Sequence, residues 1–415
     1  MAILADILRI ALRNLMRYRR RTYLTASLIA VGVTFVLLFL SASGSFQNLM
    51  IGQITDAMLG HIQVHKRGYM ASIDSLPLNL NLEPEEVRQL TRVLSQTEGV
   101  SDFSPRLKFP AMLSNFMETT NIRINGVIPR RETAVIPLLP GRVREGNTRL
   151  LKGELYVPEL LARGMQLKIG DLVAVIATNE DGLVNGKKFR VSAIIESVTG
   201  PGGRDGYMHL EDARDILRIT DDQISEVAIR VSDFSRLEPV AEQIRHRLAG
   251  GAARNGRPVF DVRTWEGLTP FVNISRMIDV MAFFIRLMLI AVVLVSVMNV
   301  MIMAVYERIR EIGTIAAIGT KPSRIRTLFL CEGFMLGILG TGAGILLTGL
   351  ATLIINSLQI SFNFGRQAGL ILTTGLELNQ VVLVSLIVIV VSTLAALQPA
   401  HKAARMKPVD ALGHV

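Results

Sequence analysis

The sequence predicts a membrane α-helical protein: four transmembrane helices, with a large α+β extracytoplasmic domain inserted between the first and the second. Three observations carry that expectation. Half of the 415 residues are hydrophobic and 19% are charged, against roughly 25% charged in an ordinary soluble domain. The apolar residues gather in four blocks, each offering the ~20 residues that cross a bilayer core as a helix. Between the first two blocks lie more than two hundred residues of mixed, soluble-looking sequence.

Residues 1–21 come first. Leu4, Leu8, Ala11 and Leu15 recur at helical spacing, with Arg9, Arg13 and Arg17 on another stripe. That pattern predicts an amphipathic helix lying on the cytoplasmic leaflet. The first span follows at 22–43, and no charged residue occurs between Arg21 and Asp56. Arg20-Arg21-Thr22 and Ser41-Ala42-Ser43 loosely resemble an export signal and its cleavage site. The helical pattern before the apolar run, and the run's full spanning length, favour a retained anchor. The second span is expected at 281–305, the third at 328–355 with Glu332 its one charge, and the fourth at 380–398.

The net charge of +10 is unevenly placed, for residues 44–280 hold 29 basic and 29 acidic side chains. The excess belongs to 1–21, 306–326 and the tail 399–415. These segments share one side of the membrane if each block spans once. By the positive-inside rule both termini and the 306–327 loop are cytoplasmic, while 44–280 and the short 356–379 loop face outward. Basic charge is therefore a topology signal. With one Trp and 6% aromatic residues, base stacking on nucleic acid is the weaker reading. The single Cys331 excludes an internal disulfide framework and a multi-cysteine zinc site.

The outward domain mixes periodicities. Residues 172–177, 189–195 and 226–231 read as strands from β-branched content, and 121–126 alternates strictly. Residues 85–95 and 237–248 read as helices, and an α+β domain in two lobes is expected. The run Gly200-Pro-Gly-Gly-Arg-Asp-Gly206 lacks the G-x-x-x-x-G-K-[ST] arrangement of a phosphate cradle and reads as a turn, so no ATP-hydrolysing site is recognisable. His61 and His65 read as a surface pair rather than metal ligands. No catalytic constellation stands out.

In the third span, Gly333, Gly337, Gly340 and Gly344 fall on one helix face, where small residues let membrane helices approach. Arg286 near an outer span end and Glu332 near an inner one are ionisable groups in apolar surroundings, placed too far apart to pair. In the stretch Tyr306 to Arg326, Ile309, Ile312, Ala316 and Gly319 recur at helical spacing, with Ile315 and Ile318 beside them. Two readings are open for it: a helix for a partner's groove, or a helix lying on the membrane surface.

Glu307-Arg-Ile-Arg-Glu-Ile-Gly-Thr-Ile-Ala-Ala-Ile-Gly319 is similar to the E-R-x-R-E-I-G-x-x-[RK]-A-[IL]-G stretch of FtsX/MacB/LolC-LolE-type permeases. Gln398 to Leu412 resembles that family's P-A-x-x-A-A-x-x-x-P-x-x-A-L tail, and 155–171 and 205–217 look like its periplasmic core domain. Ala316 departs from the pattern, where the family usually has a basic residue. The resemblance implies a permease subunit of an ABC transporter in the bacterial inner membrane, with two permease copies per complex, identical or paralogous. Glu307, Arg308, Arg310, Glu311, Ile312, Gly313, Ile315, Ile318 and Gly319 would form the coupling helix that docks on a separate ABC ATPase subunit, itself present in two copies. ATP and Mg would be bound by that partner and no cofactor by this chain, which would not be an enzyme by itself.

Gly60-His-Ile-Gln-Val-His-Lys-Arg-Gly-Tyr69 looks similar to the start of the outer domain in lipoprotein-releasing members. They draw lipidated proteins from the outer leaflet, in contact with membrane lipid. An apolar cleft would then be expected near Phe46, Leu49, Met50, Met277, Met281 and Phe284, methionine being adaptable to varied chains. Two alternatives remain from the same family: an efflux permease working with a periplasmic adaptor, and a regulator of cell-wall hydrolases. The outer domain is much larger than in the regulators.

Overall fold

The computed structural model describes residues 2–197, 201–249, 253–254, 257–269, 271–359, 361–364, 367–371 and 374–406. The chain forms two compact units: Met1–Gln47 with Ile274–Phe362 and Gly369–Val415, and Asn48–Asn273 with Asn363–Ala368.

In chain order, α1 (Ala2–Arg17) and α2 (Arg19–Ile54) come first, followed by a π-helical turn at Thr55–Leu59. Then come β1 (Ile62–Lys66), α3 (Pro84–Ser95), β2 (Val100–Ser114), β3 (Thr119–Val127), α4 (Pro129–Val135), β4 (Val143–Gly146), β5 (Glu154–Pro158) and α5 (Glu159–Gly164). After these lie β6 (Leu172–Thr178), β7 (Val184–Ile195), β8 (Asp205–His209), α6 (Leu210–Leu217), β9 (Glu226–Val231), α7 (Leu237–Ala249), the small pair β10 (Ala253–Arg254) and β11 (Arg257–Pro258), and β12 (Phe260–Thr264). The chain continues through α8 (Phe271–Glu307), α9 (Ile309–Ala317), α10 (Pro322–Ser357), the hairpin β13 (Ser361–Phe364) and β14 (Gln367–Ile371), α11 (Leu378–Ala395) and α12 (Leu397–Ala404).

The second unit is built on one mixed sheet in the order β12-β1-β9-β2-β3-β8-β5-β7-β4, with β6 pairing β2 and β7. The β3–β8 and β5–β7 pairs are parallel and the other pairs of this sheet antiparallel. Strand β2 carries the design. Its first half pairs β9 and its second half pairs β3 and β6, and Leu107, Phe109, Ala111 and Leu113 point alternately into a core shared with α5 and α6. A second core lies where α3 and α7 cover β1, β9 and β12 around the buried Trp265. One continuous sheet therefore joins two packed cores. Local signals start the elements: α3 opens on Pro84 with a reciprocal capping box between Glu83 and Glu86. Pro201–Arg204 forms a 3-10 turn before β8, while residues 198–200 lie outside the described residues.

Among the described residues, four helices are long and apolar enough to cross a membrane, Arg19–Leu59, Phe271–Glu307, Pro322–Ser357 and Leu378–Ala404, and most of their length lies in the first unit. Each overruns its apolar segment. A narrow stripe of each faces its neighbours, such as Leu289, Val293, Val297 and Met301 of α8, while Met288, Val292 and Val295 stay exposed. An apolar outer surface is what lipid requires, so close packing replaces the hydrophobic effect between helices. The glycines of α10 serve two neighbours. A Cβ at Gly333 would lie 2.6 Å from that of Ala396, and one at Gly337 would meet Ser392 of α11. A Cβ at Gly340 would lie 2.6 Å from Ile29, and one at Gly344 2.8 Å from Val33, both on α2.

Candidate functional site

The 307–319 stretch begins where α8 loses its helical path. Arg308 takes φ −111° and ψ 19°, between the end of α8 at Glu307 and the start of α9 at Ile309. The short helix ends on Gly319 at φ +93°, the left-handed conformation in which glycine costs least. Ile312 and Gly313 are buried against the chain itself. Ile315 is partly exposed and Ile318 is 80% exposed. The nine residues of the motif thus divide into an inward set, Arg308, Ile312 and Gly313, and an outward set that includes Glu307, Arg310, Ile315, Ile318 and Gly319, with Glu311 between them. A cavity of about 350 Å³ opens beside them, lined by Ile7 and Ile10 of α1, Ile312 and Ile315 of α9, and Leu328 and Phe329 of α10, with Arg324 at its edge.

Beneath the motif lies a buried polar cluster. The Glu332 side chain, 1% exposed, accepts a hydrogen bond from Asn14 Nδ2 at 2.8 Å and one from Arg308 Nη1 at 2.9 Å, both at Oε1. Arg308 Nε donates to Glu311 at 3.0 Å. The guanidinium also lies 5.8 Å from the Phe329 ring and 5.9 Å from the Tyr18 ring. Arg17 pairs with Glu311 at 3.4 Å and Arg21 with Glu307 at 3.2 Å. Helices α1, α2, α9 and α10 therefore converge on the residue that breaks α8. The exposed arginines Arg9, Arg13 and Arg17 lie on the far side of α1, whose Ala11 and Leu15 are buried. The side chains of Leu4 and Leu8, and residues 407–412 of the tail motif, lie outside the described residues.

The lone charge of Glu332 is visible in the sequence, but its partners, 318 and 24 residues away, are not. Arg286 has no such company: its Nε is buried without a hydrogen-bond partner among the described residues. Met277, Met281 and Phe284 of α8 are exposed, Phe46 and Leu49 are partly buried, and Met50 is fully buried. Within the first unit, Gln47 Nε2 ties α2 to α8 by donating to the Ser275 carbonyl at 3.1 Å and to Asp279 at 3.0 Å.

The second unit corrects the reading of the histidines. His61 and His65 are buried, not a surface pair, because β1 lies between β9 and β12. His61 Nδ1 accepts from the Val231 amide, and Nε2 lies 3.3 Å from Asp56, which Arg230 also meets at 2.6 Å. Arg142 donates to the Ala57 carbonyl at 2.8 Å. These bonds hold the π-helical turn against the sheet. His65 joins a second cluster, in which Glu226 meets Lys108 at 2.8 Å, Arg106 at 3.1 Å and His65 at 3.2 Å, and Arg106 meets Glu132 at 2.9 Å. Burial alone would raise the Glu226 carboxyl, but Lys108, His65 and Arg106 outweigh it and hold the group well below the usual carboxylate range. No group of three or more metal-ligating side chains occurs among the described residues.

Comparison with known proteins agrees with this architecture. Residues 22–247 match the MacB-like periplasmic core domain and residues 283–408 the FtsX-like permease C-terminal domain. The lipoprotein-releasing system transmembrane protein LolC of Neisseria meningitidis serogroup B is 24% identical, over 92% of this chain and 92% of its own. A probable export ATP-binding/permease protein MacB of Pseudomonas entomophila is 24% identical over 96% of this chain and 57% of its own. The crystal structure of the periplasmic region of MacB from Actinobacillus actinomycetemcomitans aligns with 52% of this chain and 94% of its own, at 13% identity and a TM-score of 0.35. The chain is a membrane permease with a MacB-like domain between its first two spans. It belongs to the FtsX/MacB family, as an ABC transporter permease of the LolC/MacB type in the bacterial inner membrane.

Proposed function

We propose that this permease transmits the work of a separate ATPase subunit to lipidated proteins, drawing them from the outer leaflet of the inner membrane. The observation that carries the coupling half is the outward face of α9. Ile318 is 80% exposed at the C-terminal cap of a short helix that directly follows a spanning helix. An exposed isoleucine there suits a groove on a partner. Two ATPase copies, which bind ATP and Mg, would act on two permease copies, identical or paralogous. Closure of the ATPases can move the permease only if ATP favours one arrangement of it over another. The basic excess of segments 1–21, 306–326 and 399–415 supports a cytoplasmic side for both termini and α9, where those ATPases would be.

The choice of cargo rests on extent of similarity. The relative named for lipoprotein release matches along nearly its whole length, the exporter along little more than half. The exposed Met277, Met281 and Phe284 offer adaptable apolar surface for acyl chains. The similarity to MacB keeps efflux with a periplasmic adaptor as the second reading. One experiment tests both halves. Cells depleted of the chain should retain lipoproteins in the inner membrane, and Ile318→Asp should insert normally yet fail to restore sorting. Normal sorting in depleted cells removes the cargo, and full rescue by Ile318→Asp removes the docking role.

A further inference from the structure

We propose that Glu332 is a positioning residue: it clamps the hinge at Arg308, so that α9 moves together with α10 and the N-terminal helix α1 rather than swinging alone. Arg308 is the residue at which the α8 helix breaks, and hinges are residues that absorb a change of φ and ψ at an element's end. An exposed hinge side chain would leave α9 free to pivot. This one is buried and held at both ends of its guanidinium, Nη1 by Glu332 at 2.9 Å and Nε by Glu311 at 3.0 Å. The same Glu332 oxygen holds Asn14 at 2.8 Å. Three segments distant in sequence thus share one acceptor atom.

The local environment strengthens the clamp. A carboxylate inside an apolar helix is costly unless it is paired, and removing its partner leaves an uncompensated buried charge. Glu332 and Arg308 therefore hold each other in place.

The consequence for transport rests on the coupling role proposed above, but the clamp itself can be tested on the permease alone. The full-length chain, carrying Cys331→Ser with spin labels at Arg13→Cys on α1 and Ala317→Cys on α9, is placed in liposomes and the label distance is measured. The expected result is one narrow distribution. Glu332→Gln should broaden it or add a second peak, and the charge exchange Glu332→Arg with Arg308→Glu should return it toward a single peak. With the co-purifying ATPase subunit, ATP and Mg should leave the distance unchanged in the parent protein, because α1 and α9 move as one, and should shift or broaden it in Glu332→Gln. A Glu332→Gln protein that loses thermal stability but keeps the narrow peak, with and without nucleotide, overturns the proposal, because the residue would then only stabilise. If no ATPase co-purifies with the parent chain, the coupling reading fails separately and the distances still decide the clamp.

Discussion

Two buried carboxylates, one in each unit, solve the same electrostatic problem differently. Glu226, wholly buried in the domain, is met by Arg106, Lys108 and His65, and Arg106 is balanced again by Glu132. Glu332 in the membrane unit has one cation and one amide. Every cation or ring that meets Glu226 stands on a strand paired with its own, so the sheet's backbone already fixes their spacing. The partners of Glu332 come from the turn after α8 and from α1, which no shared ladder ties together, so strong side-chain bonds in low dielectric set the spacing themselves. Where the partners stand therefore separates a carboxylate that a sheet holds in place from one that holds helices together.

The largest expected effect falls on the hub within the sheet. Glu226→Gln removes the charge that faces Arg106 and Lys108 and should cost about 3–5 kcal/mol, the range for breaking a buried pair. Trp265, the single tryptophan and part of the core beside β1 and β9, reports this unfolding by fluorescence in urea. An unchanged midpoint would mean that the network does not contribute to the domain. The pH dependence follows from the lowered Glu226 value. A carboxyl held below its unfolded pKa contributes stability that is present above the usual carboxylate range and is lost as pH falls through the folded value. The parent midpoint should stay level from neutral pH to about 5 and fall below it, with a shallower acid decline in Glu226→Gln. Equal acid declines in the two proteins would assign the dependence to other carboxyls.

A middle-sized effect separates the two units. Gly340→Val forces a side chain against Ile29 of α2 and should cost roughly 1–3 kcal/mol by overpacking. Gly342→Val, whose Cβ would meet open space, is its control. Thermal unfolding in detergent should show a lower transition for the first variant and not the second, with the Trp265 signal unmoved in both. A lower transition in both would point to the glycine backbone rather than to its seat against α2.

Much of this architecture is legible in the sequence, for stated reasons. The spans are written in uninterrupted apolar composition, β9 in its run of β-branched residues, and the glycine face of α10 in offsets of four, three and four. What each face meets is not legible. Gly333 and Gly337 seat α11 while Gly340 and Gly344 seat α2, a division set by where those helices cross α10. His61 and His65 show the two-residue period of a strand, yet nothing local states that β1 is covered on both edges by β9 and β12. Glu332 announces itself as a charge in an apolar run, but Asn14 looks like one polar residue of an amphipathic helix. Likewise Arg308 looks like one basic residue of an exposed loop, and only the fold buries it.

The smallest expected effect tests whether burial, rather than ion pairing as such, makes a carboxylate such as Glu226 costly to replace. Asp56 offers the comparison, since it also sits at the end of a span, also meets an arginine, at 2.6 Å, and also lies in a turn that departs from the α-helix. Its side chain is 26% exposed, however, as is that of Arg230. Water screens such a pair, and exposed pairs measure below about 1 kcal/mol. The turn has other holds as well: the Leu138 amide donates to the Asp56 carbonyl at 3.0 Å and Arg142 to the Ala57 carbonyl. Asp56→Asn should therefore shift the urea midpoint of Trp265 by much less than Glu226→Gln does. If the two substitutions proved equally damaging, accessibility would not be what distinguishes these ion pairs, and the Asp56–Arg230 contact would be holding the turn to the sheet largely by itself.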